Sequence, residues 1–186
     1  MTTRIPPLPV EKWPPELTEA LPGMTRAGAS PLDEAQKVKG ALGTLAHHPA
    51  LAKAWLQFNA QVLRATTLSE RHRELLILRV TAVRKADYNW AEHVLMARRS
   101  GLDDEEVARV AYGPDAPYWD PLDAALLRSV DELVSAGVVS DATWAVLAEH
   151  LEVRQLLDLI FVVGAYETIG WMSRSFALEP DVDPRF

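Results

Sequence analysis

Cysteine is absent from this 186-residue chain. That absence excludes disulfides, thiolate metal ligands and every form of thiol redox chemistry. No HExxH or comparable ligand spacing occurs, so no metal centre is expected. No glycine-rich phosphate loop or dinucleotide fingerprint occurs either, and the expected cofactor set is empty. No apolar run approaches the ~18–20 residues needed to cross a bilayer. The longest, around Leu156 to Ala165, is interrupted by Asp158. The N-terminal MTTRIPPLPVEKWPPEL lacks the apolar segment of a secretory signal, which makes the cytoplasm the expected location.

Basic residues are in short supply: 19 Lys and Arg against 26 Asp and Glu, a formal net charge of -7. Such a surface repels nucleic-acid backbones and anionic lipid, so neither nucleic acid nor membrane is expected as a partner. What is present suits a soluble globular protein. Hydrophobic residues make up 48% and charged residues 24% of a length that fits one domain with one core.

Prolines 6, 7, 9, 14, 15 and 22 mark residues 1–30 as a separate arm and argue against continuous helix there. Leu8, Trp13 and Leu17 are apolar enough to suggest an extended strap on the domain or on a neighbouring subunit. A solvated tail is the alternative. The domain proper spans 31–180. Ser30-Pro31 reads as a cap and first turn of a helix to about Leu45. Pro49 opens another, with Leu51, Trp55, Phe58 and Val62 as its apolar stripe. Ser69 caps a third, whose Leu75, Leu76, Leu78, Val80 and Val83 cover most of its circumference and place it centrally.

A fourth helix runs from about Asp87 to Ser100 and stops at Gly101. Asp103 to Glu106 crowd the first turn of a fifth, where the helix dipole favours negative charge. Further helices are expected over Leu122 to Ala136, from Ser140 or Asp141 to His150, and from Val153 to about Leu178. No segment shows convincing strand alternation. The fold class is all-α, with about seven or eight helices.

The informative stretch is Leu68-Ser-Glu-Arg-His-Arg-Glu-Leu-Leu-Ile-Leu-Arg-Val80, followed by Ala86-Asp-Tyr-Asn-Trp-Ala-Glu-His93. Glu74 sits early on the central helix and His93 one to two turns into the next. Asn89 and His93, four apart, share a face. Tyr88 and Trp90 flank that face as candidate pocket walls.

This pattern resembles the carboxymuconolactone decarboxylase family, which includes the alkylhydroperoxidase D-like proteins. The resemblance continues through Ala97 to Val107 and Val163-Gly-Ala-Tyr166, and covers roughly Leu42 to Leu178. It implies an alkylhydroperoxidase D-like bundle and a homo-oligomer, most commonly a trimer or hexamer, with a dimer as the other form. Peroxidase-type members carry a Glu, a Cys-x-x-Cys and a His four residues after the second Cys. Those positions fall here on Glu74, Ala86, Asn89 and His93, so the thiols are lost. Decarboxylase-type members place a Glu four residues before the His, where this chain has Asn89, a neutral amide that cannot act as a base. The Tyr-x-Trp-x-x-His form resembles a cysteine-free subgroup.

The resemblance implies His93 and Glu74 as catalytic residues and Asn89, Tyr88, Trp90 and Arg79 as substrate-contacting ones. The implied activity is a cofactor-free decarboxylase, isomerase or hydrolase acting on a small organic acid or lactone. A degenerate binding or scaffold protein is the alternative. Each residue also has a plainer reading. Glu74 lies among Arg71, Arg73 and Arg79 and has partners at hand for an ordinary ion pair. Tyr88 and Trp90 suit aromatic packing. Tyr166 and Trp171 read as core or subunit contact, His47 and His48 as loop or cap residues, and His72 and His150 as exposed helix positions.

Overall fold

The computed structural model describes residues 3–25 and 28–182. Among these, every regular element is helical: α1 (Pro15–Met24), α2 (Pro31–Gln36), α3 (Lys39–Leu45), α4 (Pro49–Arg64), α5 (Glu70–Arg84), α6 (Asp87–Arg99), α7 (Asp104–Tyr112), α8 (Pro121–Ala136), α9 (Asp141–His150) and α10 (Val153–Ser175). The all-α class is as expected. Two helices lie where the sequence suggested one or none, and both differences have local causes.

The first is the arm. Residues 15–24 are helical rather than extended, because Pro14 and Pro15 occupy the N-cap and first helical positions, where proline costs no hydrogen bond. Pro22 falls inside α1, yet Leu17 and Leu21 are buried against α4 and Trp13 is buried beside them. Burial of that size, about 1.5–3 kcal/mol per large apolar side chain, exceeds what a short helix loses at one proline. The preceding strand of chain lies on the domain itself. The Leu8 N–H donates to the Gly43 carbonyl at 2.9 Å and the Arg4 N–H to the Phe176 carbonyl at 2.9 Å. Gly43 is required at that crossing, since a Cβ there would stand 2.4 Å from the Leu8 carbonyl oxygen.

The second is the break between α2 and α3. Ser30 caps α2 through the Asp33 N–H, as its position suggests. Val38 then leaves helical geometry, and α3 restarts with Gly40 packed against Tyr88 and Asp181.

Helix α5 is the axle of the bundle, with Leu75, Leu76, Ile77 and Leu78 wholly buried. It packs on α6, α7, α8 and α10. Its arginines fasten these neighbours. Arg71 pairs with Glu106 and Asp123, Arg79 grips Asp131 through two bonds at 2.6 and 2.8 Å, and Arg84 pairs with Glu167 of α10. Helix ends are capped by Ser69 and Ser140 and closed by glycines 101 and 137 at positive φ, and Asp103, expected in the first turn of α7, is its N-cap in a capping box with Glu106.

Helix α10 corrects one reading. By length and composition it is apolar enough to cross a bilayer, although half of its most apolar stretch is buried inside the bundle. In α4 the buried positions are Ala52, Leu56 and Val62, and Leu51 is exposed, one position off the expected stripe. His72 is half-buried, its Nε2 3.8 Å from Asp123, rather than exposed.

The apolar interior divides into two main clusters. One surrounds α5, and the other lies beneath the N-terminal arm, between α1, α3 and α4. The candidate site occupies the seam between them.

Candidate active site

A cavity of about 180 Å³ opens in that seam. Its walls come from α1 to α6 and α10, and are mostly apolar: Leu21, Leu42, Leu45, Trp55 and Ile169 among them. A cavity of ~150 Å³ holds a benzene-sized guest, so this one suits a single-ring compound.

Glu74 and His93 meet at its wall. Glu74 is completely buried, and its Oε2 lies 2.8 Å from His93 Nδ1. Its other oxygen, Oε1, accepts from Arg73 Nε and Nη2 at 3.2 and 3.1 Å. Arg73 in turn donates through Nη1 to the Leu63 carbonyl at 3.0 Å. Burial opposes charge on Glu74, but the charges and hydrogen bonds of His93 and Arg73 outweigh it and hold the carboxyl below its ordinary range. An ionised Glu74 only accepts, so the proton of that bond sits on His93 Nδ1.

The second ring nitrogen of His93 is also engaged. Its Nε2 lies 2.8 Å from the Tyr166 hydroxyl, with the two rings edge to face at 4.8 Å. Burial, reinforced by the charge of Glu74, pushes the Tyr166 hydroxyl well above its ordinary range, so it stays a phenol. The three side chains form one hydrogen-bonded line, Glu74–His93–Tyr166, along a cavity wall that all three share. A line of this kind passes a proton along its length and leaves the carboxylate ionised.

The remaining sequence candidates divide. Asn89 lines the cavity, and its Oδ1 accepts from Ser173 Oγ at 2.8 Å, which leaves the amide Nδ2 as its free donor. Tyr88 also lines it. Its hydroxyl donates to Asp181 at 2.6 Å and accepts from the Ala41 N–H at 3.1 Å. Asp181 further accepts from the Gly40 N–H at 2.8 Å, so the C-terminal segment is pinned onto α3 and α6.

Trp90 is not in the cavity wall; it is half-buried against the main core. Arg79 is elsewhere too, committed to Asp131 and to the carbonyls of Val110 and Ala111. Helix periodicity explains both. Successive residues turn by about 100°, so Trp90 falls on the far side of His93 from Asn89, and Arg79 is rotated by about 140° from Glu74.

Two site residues were not identified from sequence. Arg73 gave no sign that it, rather than Arg71, holds Glu74. Tyr166, read as core or subunit contact, ends the relay. The only available signal was the pairing of Val163-Gly-Ala-Tyr166 with the histidine segment in the same resemblance.

The model of the carboxymuconolactone decarboxylase family matches residues 49–132, which hold Glu74 and His93 but not Tyr166. No curated protein matches the sequence. A peroxidase-related protein from Ralstonia eutropha JMP134, an alkylhydroperoxidase AhpD core, superposes with TM-score 0.77 at 18% identity, over 95% of this chain and 91% of that one. The debrominase Bmp8 in its apo form gives TM-score 0.75 at 15% identity, over 100% of this chain and 96% of that one. A peroxidase-related protein from Silicibacter sp. TM1040 gives 0.69 at 16% identity, over 92% and 95%. At such identities the likeness is one of fold. The chain is an alkylhydroperoxidase D-like helical bundle without cysteine, with ten α-helices among its described residues rather than seven or eight.

Proposed function

We propose that this chain is a carboxymuconolactone decarboxylase-like enzyme that needs no cofactor and moves a proton on a small ring compound, a lactone or organic acid. The observation that carries the reading is the double engagement of His93, at 2.8 Å from Glu74 on one side and 2.8 Å from Tyr166 on the other. A buried carboxylate, an imidazole and a phenol in line form an acid–base relay beside a cavity of the right size.

Both nitrogens of His93 are taken, so Tyr166 is the group that meets the substrate and His93 acts through it. In the acid direction His93 is the imidazolium, held by ionised Glu74. Tyr166 gives its hydroxyl proton to a substrate carbonyl oxygen and is reprotonated from His93 Nε2. For decarboxylation, the bond to the substrate carboxylate breaks and carbon dioxide leaves. The electron pair becomes an enolate, whose oxygen takes the Tyr166 proton. Isomerisation and α-proton exchange use the relay in the base direction: the Tyr166 oxygen takes the C–H proton as its own hydroxyl proton passes to Nε2 of neutral His93, and the reverse transfer returns a proton to carbon. In both, the developing negative oxygen is stabilised by a fixed donor in a dry site, the effect that contributes most to such catalysis. Asn89 Nδ2 is a second donor toward the same oxygen or a ring carboxylate.

The test is exchange of α-protons for deuterium in a panel of small lactones and cyclic ketones, followed by proton NMR. Exchange catalysed by the wild type and lost in His93→Gln supports the reading. Wild type that exchanges no member of the panel above buffer rate refutes it.

The same double engagement also favours a second reading, because a structural histidine is satisfied in the same way. In that case the chain is a catalytically degenerate binding or scaffold protein. His93→Gln would then lower the melting temperature with no exchange activity to lose.

We further propose a homo-oligomer. Helix α10 exposes Val153, Leu157, Ile160, Phe161 and Trp171, with Trp144 of α9 also exposed. On one face of a long helix this apolar surface is suited to a second copy of the chain.

A further inference from the structure

Glu92 takes no part in the Glu74–His93–Tyr166 line. It precedes His93 on α6, is only 6% exposed, and lines the cavity. Its Oε1 is buried and has no hydrogen-bond partner. The same is true of Asn59 Oδ1, contributed by α4 to the same cavity. One other buried side-chain atom among the described residues is orphaned in this way, an oxygen of Asp123 on α8, whose other oxygen pairs with Arg71 at the start of α5. Leaving a buried acceptor unsatisfied costs about 1–3 kcal/mol, so two on residues that line one cavity need an explanation.

The helix geometry shows where Glu92 stands. At about 100° per residue, the cavity-lining residues Leu95, Tyr88, Arg99, Glu92, Met96, Asn89 and His93 cover one continuous arc of α6. His93 lies at one edge of that arc and Glu92 at its middle. The other polar groups deep in the cavity already have partners: Glu74 with Arg73 and His93, Tyr166 with His93, Asn89 with Ser173, and Tyr88 with Asp181. Both orphans are oxygen acceptors.

We infer that Glu92 and Asn59 form a ligand subsite that receives a hydrogen-bond-donating group, an ammonium or hydroxyl, on a ring held between them and Tyr166. The inference rests on this cavity being the substrate site. It adds to the proposed function a substrate that carries a donor as well as the reacting carbonyl.

Burial, with the charge of Asp181 added, pushes the Glu92 carboxyl up to about 7. The subsite therefore gains charge within the physiological range, and an ammonium ligand binds more tightly as pH rises through that value. The other titratable groups on the cavity are Tyr88, His93 and Arg99 on α6, Glu34 and Lys37 at α2, Arg64 on α4, Arg73 and Glu74 on α5, and Tyr166 on α10. Lys37 is paired with Glu34, Arg64 donates to the Met24 carbonyl, and Arg99 is exposed, so a carboxylate ligand has only the outer cations to seek.

Three single-ring probes of similar size separate the possibilities: benzylamine, benzyl alcohol and benzoate, titrated calorimetrically into the full chain. Wild type is expected to bind benzylamine most tightly and benzoate least. Glu92→Gln weakens benzylamine by about ten- to hundredfold, the worth of a hydrogen bond to a charged group, and removes the pH dependence. Glu92→Met fills the position with apolar atoms, so it raises the melting temperature while losing benzylamine binding, which a purely structural Glu92 would not do. Benzoate binding as tightly as benzylamine, an unchanged Glu92→Gln, or no binding of any probe by wild type overturns the inference. Binding is read without turnover. A benzylamine preference without lactone exchange therefore sinks only the catalytic reading, and exchange with a benzoate preference sinks only this one.

Discussion

His93 Nδ1 lies 2.8 Å from Glu74 Oε2, nineteen residues earlier on a separate helix, and Arg73 covers the other carboxylate oxygen. The buried carboxylate is therefore shared between an arginine and the relay, and stability and chemistry depend on the same group. Breaking one side of such a buried pair costs ~3–5 kcal/mol, because the surviving charge is left without compensation. Glu74→Leu is expected to lose stability of that order in urea unfolding. Arg73→Met combined with Glu74→Leu recovers a large part of it. A double variant no more stable than Glu74→Leu alone contradicts the pairing.

Glu74 also sets an acid limit. Its carboxyl is held below the ordinary range, so its contribution is fully present above the unfolded value of ~4.3 and is lost as pH falls through the lower, folded value. Acid unfolding curves of wild type and Glu74→Gln should converge as pH drops below ~4. Curves that stay parallel through that range would count against an ionised Glu74.

Glu92 has the opposite sign. Its folded value is about 7, above the unfolded value, so the native state holds the proton more tightly than the unfolded chain does. Stability falls as pH rises from ~4.3 toward that value and levels off above it. Glu92→Gln removes this slope. Asp181→Asn takes away the neighbouring charge and moves the Glu92 titration to lower pH, which carbon NMR of the labelled side-chain carboxyl measures directly.

How much of this could be read beforehand follows from where each signal lies in the chain. The caps at Ser30 and Ser69 and the stop at Gly101 act within a few residues, and each stands where the sequence places it; Ser140 rather than Asp141 caps α9, and Asp103, expected in the first turn of α7, is its N-cap. Glu74 and His93 were legible as a pair because they lie in one matching segment. Tyr166 was not, since it lies 73 residues from its partner on a helix apolar around most of its surface, where one more aromatic looks like core. Trp90 and Arg79 were placed in the site by proximity in sequence, and rotation about the helix axis removes them. In the arm, proline density argues against helix, whereas proline position, at the N-cap and first turn of α1, permits it.

The arm itself is testable. At Gly43 an added Cβ would meet the Leu8 carbonyl oxygen at 2.4 Å, and backbone on both sides leaves little room to yield. Gly43→Ala should cost about 1–3 kcal/mol, as overpacking does elsewhere, and should loosen residues 4–8 in hydrogen exchange. Unchanged protection of the Leu8 amide would show that the crossing is not held there.

Assembly can be checked on α10. Phe161 is 54% exposed on the apolar face, so Phe161→Glu should shift the mass measured by light scattering toward the monomer without lowering helicity. A wild type that is already monomeric removes the proposal.

The most direct test of the relay is deuterium exchange into a small lactone by wild type and by Tyr166→Phe, measured by proton NMR at neutral pH. The phenylalanine keeps the packing and deletes only the hydroxyl bonded to His93 Nε2. A proton-transfer group contributes about 10²–10⁴ in rate, and a loss of that size is expected with the fold intact by circular dichroism. A Tyr166→Phe protein that exchanges as fast as wild type would contradict the assignment of Tyr166 as the residue that meets the substrate.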